Sequence, residues 1–366
     1  MDFTLDSEHK ALGEAVREMA SRRGARPSAT GAGPRPHDAE LWAAMAETGL
    51  LGLPFSEDAG GFGASAVEVF VAARELGRAG VQSAYPDALL ANSLLAAAGD
   101  DLVGSAVSGE ALVLPALAEP MRAFSPVPEG VTATVSGDGA AVSGTKGPVP
   151  SGAAATHAVV SARVDDGSAE GGSGEQGETV LVLVDEPRVE NDVLVLDGAD
   201  ARILLRGADA DRALADALAL ASVVLAGQAL GAMESAMTMT SDYLRTRKQF
   251  GVPLAAFQAL THRAADMYVS LELARSTAMY LAMSVAEGDT DPALVSRCRV
   301  VLARTGRHLG QEAIQLHGGI GVTAEYAVGH LTAMLTAIER TYGDPRQHLG
   351  WLAARVADYE TVGVLT

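Results

Sequence analysis

The strongest constraint on the fold is a change of local sequence pattern that occurs twice along the chain. Up to about residue 112, and again from about residue 209, apolar residues recur at the spacing of amphipathic helices. Between these points, short β-prone runs alternate with Gly and Pro, which is typical of strands and turns. The sequence therefore predicts an α+β fold with an N-terminal helical domain (1–112), a middle antiparallel β domain (113–208) and a C-terminal helical bundle (209–366).

The helical parts contain several distinct periodic segments. The first begins near the N-terminus, where Thr4 or Asp6 is the candidate cap, and two more are predicted at Ala66–Leu76 and Ala88–Ala98. The C-terminal part has longer segments, at residues 211–246, 257–287, 291–316 and 324–341, with a terminal helix near 345–360.

The middle part contains six short runs that favour strands. They are Leu112–Leu117, Val131–Val135, Ala158–Val164, Val180–Val184, Val193–Leu196 and Arg202–Leu205. Residues 165–178 lie between two of these runs and are acidic, rich in Gly and Ser, and without apolar residues. Such a segment cannot pack, so we expect a flexible loop at the end of a hairpin.

Charge and cysteine content exclude several classes of function. The chain has 46 acidic and 27 basic side chains, so its net charge is 27 − 46 = −19. This charge disfavours duplex nucleic acid and anionic membrane surfaces as partners. The single Cys and the scattered His residues predict neither disulfides nor a metal site. The N-terminus shows no secretory signal, and the apolar stretch Ala217–Met233 is interpreted as a buried helix, so we expect a soluble cytoplasmic protein.

One unusual segment spans Tyr243–Leu254 and is followed by Phe257 and Gln258. Three cations near a predicted helix end precede an aromatic residue, a Gly and a Pro. Such a group suits an anion with a planar ring beside it, because Arg can clamp a phosphate and Phe can cover a ring. A basic helix end that complements the helix dipole is the alternative interpretation, and the residues alone leave both open.

A second unusual segment spans Gln315–Tyr326 and reads QLHGGIGVTAEY. Its three Gly residues within four positions can end a helix and let backbone N–H groups approach a ligand closely. A simple glycine C-cap followed by a turn explains the same pattern. His317, inside the turn, is expected to be a spacer or a packing residue.

Together the two segments resemble the acyl-CoA dehydrogenase family, in which R-x-Q-F-G-x-P-L-x-x-F-Q and Q-L-H-G-G-x-G-x-T-x-E segments both occur. Further matches cover nearly the whole chain, among them Glu119-Pro120 and Gly144-Thr145-Lys146. The resemblance implies the acyl-CoA dehydrogenase fold, in which the C-terminal part is a four-helix bundle. It also implies non-covalently bound FAD and α,β-desaturation of an acyl-CoA or acyl-carrier thioester.

The resemblance also implies roles for individual residues. Arg247 and Phe250 should reach the FAD of a neighbouring subunit. Gln258, Gln315, Gly318 and Gly319 should line its adenine and pyrophosphate side. Family members are dimers or tetramers, so we expect a homo- or hetero-oligomer with a homologue.

The chain departs from the family where the chemistry is most demanding. The family's catalytic Glu corresponds either to Tyr342 or to Ala221 in this sequence, so neither form of the base is present. The W-I-T segment that contacts the flavin is replaced by Pro148-Val149-Pro150, and the substrate-side D-x-x-R by Ala219–Ser222. The catalytic residue is therefore unknown from the sequence.

Three hypotheses account for these departures. The first is a base-lacking subunit of a heteromeric acyl-CoA dehydrogenase, because the stretch after Tyr326 is similar to that subgroup. The second is an enzyme with a relocated base, Asp344 or Glu339, against which stand a capping role for Asp344 and a solvated helix charge for Glu339. The third is an acyl-binding or structural subunit without redox activity.

Overall fold

The computed structural model describes residues 6–22, 37–165 and 177–358, and most of the predicted loop at 165–178 lies outside them. Helices come first in the chain: α1 (Ser7–Arg22), α2 (Ala39–Glu47), α3 (Ala66–Arg78), α4 (Tyr85–Ala98) and α5 (Leu102–Val107). Asp6 caps α1, since its carboxylate accepts the backbone N–H groups of Glu8 and His9 at 2.9 Å. Of the two predicted caps, Thr4 lies outside the described residues.

Strands form the middle of the chain. They are β1 (Val113–Ala116), β2 (Thr132–Ser136), β3 (Gly139–Lys146), β4 (His157–Val164), β5 (Thr179–Asp185), β6 (Val189–Glu190) and β7 (Val193–Arg206). Pairings β4–β2, β2–β3, β3–β7, β7–β5 and β5–β4 form a closed cycle, to which β1 and β6 add at the edges of β4 and β7. The strands enclose apolar side chains such as Val142, Val160 and Val182, all fully or almost fully buried.

The sheet differs from the predicted antiparallel arrangement at two places. Most pairings are antiparallel, but β1 and β2 both run parallel to β4. A parallel pair needs a long connection, which local turn signals do not reveal. The strand β3 was not predicted because its small residues carry little β-propensity. The two last predicted runs belong to one strand, β7, whose polar middle still pairs with β3.

The C-terminal part is helical, as predicted. It comprises α6 (Gly207–Thr246), the two-stranded hairpin β8 (Lys248–Gln249) and β9 (Val252–Pro253), α7 (Gln258–Ala286), α8 (Pro292–His317), α9 (Ala327–Arg340) and α10 (Pro345–Ala354). One of these, α6, is long and apolar enough to cross a membrane, but 78% of its most apolar window is buried inside the protein. The helix is therefore a core element of the bundle.

Glycines bring α6 into backbone contact with α3. A Cβ added at Gly231 would lie 1.9 Å from the Arg74 carbonyl oxygen, and one at Gly77 would lie 2.1 Å from that of Gln228. Next to this contact, the Glu234 carboxylate receives the guanidinium groups of Arg74, Arg78 and Arg275, with 2.6 Å to Arg74 and 3.0 Å to Arg275. Close backbone packing and a shared carboxylate therefore join α3, α6 and α7.

Candidate cofactor and acyl site

A crevice of about 850 Å³ lies between the closed sheet and the turn that follows α9. Its walls come from residues 117–124, 147–150, 191–193 and 340–342, and from Asp87 of α4. These segments include the sequence stretches that correspond to the family's flavin-contacting positions. The structure therefore brings two of the departures from the family pattern, Tyr342 and Pro148-Val149-Pro150, together in one cavity.

A buried ion pair fixes one wall of this crevice. Lys146 is fully buried, and its Nζ donates to the Leu117 carbonyl, the Ser161 hydroxyl and the Glu119 carboxylate at 3.1–3.2 Å. Burial lowers the pKa of Lys146 to about 8. Burial also disfavours the charged form of Glu119. This effect is outweighed by the hydrogen bonds from the N–H groups of Gly130 and Glu129 and by the charge of Lys146, so the pKa of Glu119 lies below its usual range. The two segments that match the family, Glu119-Pro120 and Gly144–Lys146, thus contact each other and hold the wall of the crevice at residues 117–124.

Two further cavities adjoin the crevice. One, of about 620 Å³, lies among α6, α8 and α10, and is lined by Ala219 and Ser222 as well as by Phe124 and Tyr342 of the crevice wall. The other, of about 350 Å³, shares Asp87 with the crevice. The rings of Phe124 and Tyr342 lie 5.8 Å apart, centroid to centroid, so this pair stands at the junction of the two larger cavities.

Tyr342 occupies the position that corresponds to one form of the family base. Buried Arg299 donates to the carbonyl oxygens of Ile338 and Thr341 and so holds the backbone just before Tyr342. The Tyr342 hydroxyl donates to Oδ1 of Asp87 on α4. Burial and the adjacent carboxylate raise the pKa of Tyr342 well above its usual value, while burial raises the pKa of Asp87 to about 6. No local sequence pattern indicated Asp87, which is separated from Tyr342 by 255 positions.

The two carboxylates considered as a relocated base have other roles. Asp344 is the N-cap of α10 and accepts the N–H groups of Arg346 and Gln347 at 2.8 and 2.9 Å. Glu339 lies 2.8 Å from Arg307, and its side chain is only 9% exposed. Glu339 is therefore neither the solvated charge that was expected nor one of the residues lining the crevice.

The first predicted cofactor segment forms an exposed hairpin. Its turn consists of Phe250 and Gly251, with φ of 51° and 82°, and the Phe250 ring is 92% exposed. Left-handed backbone and solvent exposure are both unfavourable for Phe, by about 1–2 kcal/mol for the backbone alone. Arg247 is the C-cap of α6 and is also exposed, and its guanidinium makes no hydrogen bond or ion pair with the residues that the structure describes. Gln258 is exposed at the start of α7.

The second predicted cofactor segment ends α8. Gly318 has φ 64° and ψ −142°, a conformation that requires Gly, and a Cβ at Gly318 or Gly319 would meet nothing within 4 Å. Gln315 is exposed beside them. The imidazole of His317 stacks on Tyr243 with centroids 4.5 Å apart, so the two segments lie side by side at one end of the bundle.

The six predicted cofactor residues do not line the crevice or the two cavities beside it. An exposed guanidinium, an open glycine turn and an exposed aromatic ring are groups that can contact phosphates and a planar ring. The crevice lacks hydrogen-bond donors for a flavin at two positions of its wall, because Pro148 and Pro150 have no N–H and no side-chain donor. The exposed residues at this end of the bundle and the crevice are therefore two separate groups within one chain.

Comparison with known proteins identifies the family. The model of the acyl-CoA dehydrogenase N-terminal domain matches residues 6–104, and that of the C-terminal domain matches residues 212–355. Acyl-CoA dehydrogenase FadE27 of Mycobacterium tuberculosis is 30% identical over 80% of this chain and 81% of its own length. The chain belongs to the acyl-CoA dehydrogenase family, which is FAD-dependent and acts on acyl-CoA substrates.

Solved structures share the whole fold. A variant of the Tcur3481–Tcur3483 steroid ACAD has a TM-score of 0.82 and 29% identity, with 97% of this chain and 99% of that chain covered. The ChsE4–ChsE5 complex from Mycobacterium tuberculosis has a TM-score of 0.82 and 25% identity, with 99% and 100% covered. The acyl-CoA dehydrogenase fold predicted from the sequence is therefore confirmed.

Proposed function

We propose that this chain is the subunit of a heteromeric, FAD-dependent acyl-CoA dehydrogenase that lacks the family's glutamate. The single observation that carries the proposal is the contrast between its two ends. Tyr342 fills the position of the base in the crevice, while the exposed end with Arg247 and Gly318 is free to hold a dinucleotide. The names of two similar structures, Tcur3481–Tcur3483 and ChsE4–ChsE5, each pair two different proteins, which supports a heteromer.

In this arrangement, the chain supplies the adenine and pyrophosphate end of a site that a partner completes. Arg247 offers a charge-assisted hydrogen bond to a phosphate. At Gly318 and Gly319 no side chain covers the backbone, so the backbone of this turn can approach the same phosphate closely. Phe250 covers an apolar ring. The bound flavin supplies the acceptor for the substrate's β-hydrogen, and the partner supplies the glutamate that takes the α-proton.

Exposed apolar side chains occur on the hairpin, on α7 and on the turn after α8, as an interface between chains requires. They are Phe250, Val252, Tyr268, Val269, Leu273, Ile320 and Val322. We propose a soluble, cytoplasmic location for the complex.

A second candidate function is an acyl-binding or structural subunit without redox activity. It is favoured by the replacement of the flavin-contacting segment by Pro148-Val149-Pro150, in which Val149 donates its only N–H to the Asp192 carbonyl at 2.7 Å. The exposed Arg247 and Phe250 have no role in this alternative.

Co-expression with a glutamate-bearing homologue tests the proposal. Native mass determination together with the absorption spectrum should show a yellow complex that contains both chains. Arg247→Glu should weaken FAD retention at least tenfold, because it places an anion beside the phosphates. The matched control is Arg245→Glu two residues earlier, whose guanidinium pairs with Asp242 at 2.6 Å. A homo-oligomer of this chain that holds FAD and desaturates acyl-CoA alone would contradict the heteromer, and a colourless complex would contradict the flavin site.

A further inference from the structure

The crevice of this chain keeps a carboxyl group although the family's glutamate is missing. Asp87 reaches it from α4, an element that carries neither form of the family base. It lines both the crevice and the 350 Å³ cavity beside it, and is only partly buried, so part of its surface faces the open space. Tyr342 holds the Asp87 side chain in this position, because the Tyr342 hydroxyl donates to Oδ1 of Asp87. Oδ2 of Asp87 takes no part in that hydrogen bond.

The other carboxylates of the crevice wall are engaged or differently placed. Glu119 is held by Lys146 and two backbone N–H groups, and Asp344 caps α10. Asp192 also lines the crevice but does not contact Tyr342. Asp87 is therefore the carboxylate that the residue at the base position holds in place.

We propose that Asp87, oriented by Tyr342, is the proton acceptor for the α-hydrogen of an acyl thioester bound in this chain's own crevice. In this step the Cα–H bond breaks, its electron pair stays on the thioester as an enolate, and the proton moves to Oδ2 of Asp87. No electron leaves the substrate, so the step is reversible and needs no oxidant. The inference rests on the proposed function in one respect, the binding of acyl thioesters.

The surroundings of Asp87 suit a base at neutral pH. Burial raises its pKa to about 6 even though the Tyr342 hydroxyl favours the carboxylate, so the group is ionised at pH 7 yet more basic than an exposed Asp. Arg299 of α8 lies against Tyr342 and opposes the rise of the Tyr342 pKa. The other ionisable residues that line the crevice and the smaller cavity are Glu119, Arg122, Asp192, Arg340, Asp344, His37 and Asp38.

Hydrogen exchange at the α-carbon tests this step without turnover. The FAD-loaded complex carries a partner whose glutamate is replaced by Gln, and is incubated with butyryl-CoA in D2O. Mass spectrometry then follows deuterium incorporation at the α-carbon. Asp87→Asn keeps an oxygen that accepts the Tyr342 hydroxyl but cannot take the proton, so exchange should fall by about 10²–10⁴-fold. Asp192→Asn is the matched control in the same cavity and should leave the rate within about twofold.

Three further readouts separate chemistry from structure. Equilibrium dialysis should show unchanged butyryl-CoA binding in Asp87→Asn. Exchange should rise with pH through a midpoint near 6 and lose this dependence in Asp87→Asn. Tyr342→Phe removes the donor to Asp87, so exchange should persist with its midpoint moved to higher pH.

The inference is overturned if Asp87→Asn exchanges as fast as the unmodified chain, or if Asp192→Asn loses exchange equally. A yellow complex that binds butyryl-CoA without any exchange refutes this inference and leaves the proposed function standing. A colourless complex that binds no thioester refutes both.

Discussion

Replacing Gly231 by Ala should destabilise the protein through the contact between α3 and α6. The added Cβ would lie 1.9 Å from the Arg74 carbonyl oxygen and 2.5 Å from the Arg78 nitrogen, both backbone atoms that no rotamer change can move. The helices must separate, which also loosens the contact of Arg74 with Glu234. Overpacking of this kind costs about 1–3 kcal/mol or more, and Ala regains only about 0.5–1 kcal/mol in a helix. We expect a net loss of about 2 kcal/mol.

Thermal and urea unfolding of the purified protein measure this loss, and Gly306→Ala is the matched control. Gly306 also lies in a buried helix, but its added Cβ would meet only side-chain atoms, Leu335 at 3.5 Å and Met233 at 4.0 Å. These are ordinary contacts, so Gly306→Ala should raise stability by up to about 1 kcal/mol. A Gly231→Ala protein that unfolds at or above the midpoint of the unmodified chain would refute the close backbone contact.

Three further predictions concern side chains. Glu234→Gln should lower the free energy of unfolding in urea by about 1–3 kcal/mol at neutral pH. The Arg partners of Glu234 lower its pKa despite burial, so the stability that its carboxylate adds is lost on protonation. The difference between the two proteins should therefore vanish at acidic pH. Asp344→Ala should lower stability by about 1 kcal/mol through loss of the α10 cap, whereas Asp344→Asn should retain it; equal losses would refute the capping role. Asp87→Asn should stabilise the chain by roughly 1–3 kcal/mol at pH 7 and not at pH 3. The pKa of Asp87 in the folded protein, about 6, lies above the ordinary value for Asp. Ionisation of Asp87 therefore weakens the folded state as the pH rises from the ordinary pKa to the raised one. A pH-independent difference would contradict the raised pKa.

Helix positions were predictable from the sequence because periodicity and caps are local. The segment predicted at 211–246 is α6, Gly207–Thr246, and that predicted at 291–316 is α8, Pro292–His317. Strand partners were less accessible. The parallel pairings of β4 depend on chain connections far apart in sequence, and β3 consists of small residues that carry no clear pattern. The domain boundaries at 112 and 208 stay predictions.

The two cofactor segments were recognisable because each is a continuous motif. Their adjacency was not, since it depends on the stacking of Tyr243 against His317 across the bundle. The same limit explains why Asp87 was missed and why Glu339 was expected in solvent. Their partners, Tyr342 and Arg307, lie on other helices or turns, and no local rule pairs them. Whether the six predicted residues bind FAD stays a prediction that the Arg247 variant tests.

If the end that carries Arg247 binds a dinucleotide as proposed, its separation from the crevice has a genetic consequence. Two defective copies of such a protein, one impaired at Arg247 and the other at Tyr342, would each retain the end that the other has lost. Where two neighbours are one copy of each kind, one of their two reciprocal contacts would then unite two intact ends. Intragenic complementation, and tolerance of divergence between duplicated genes, follow from this geometry.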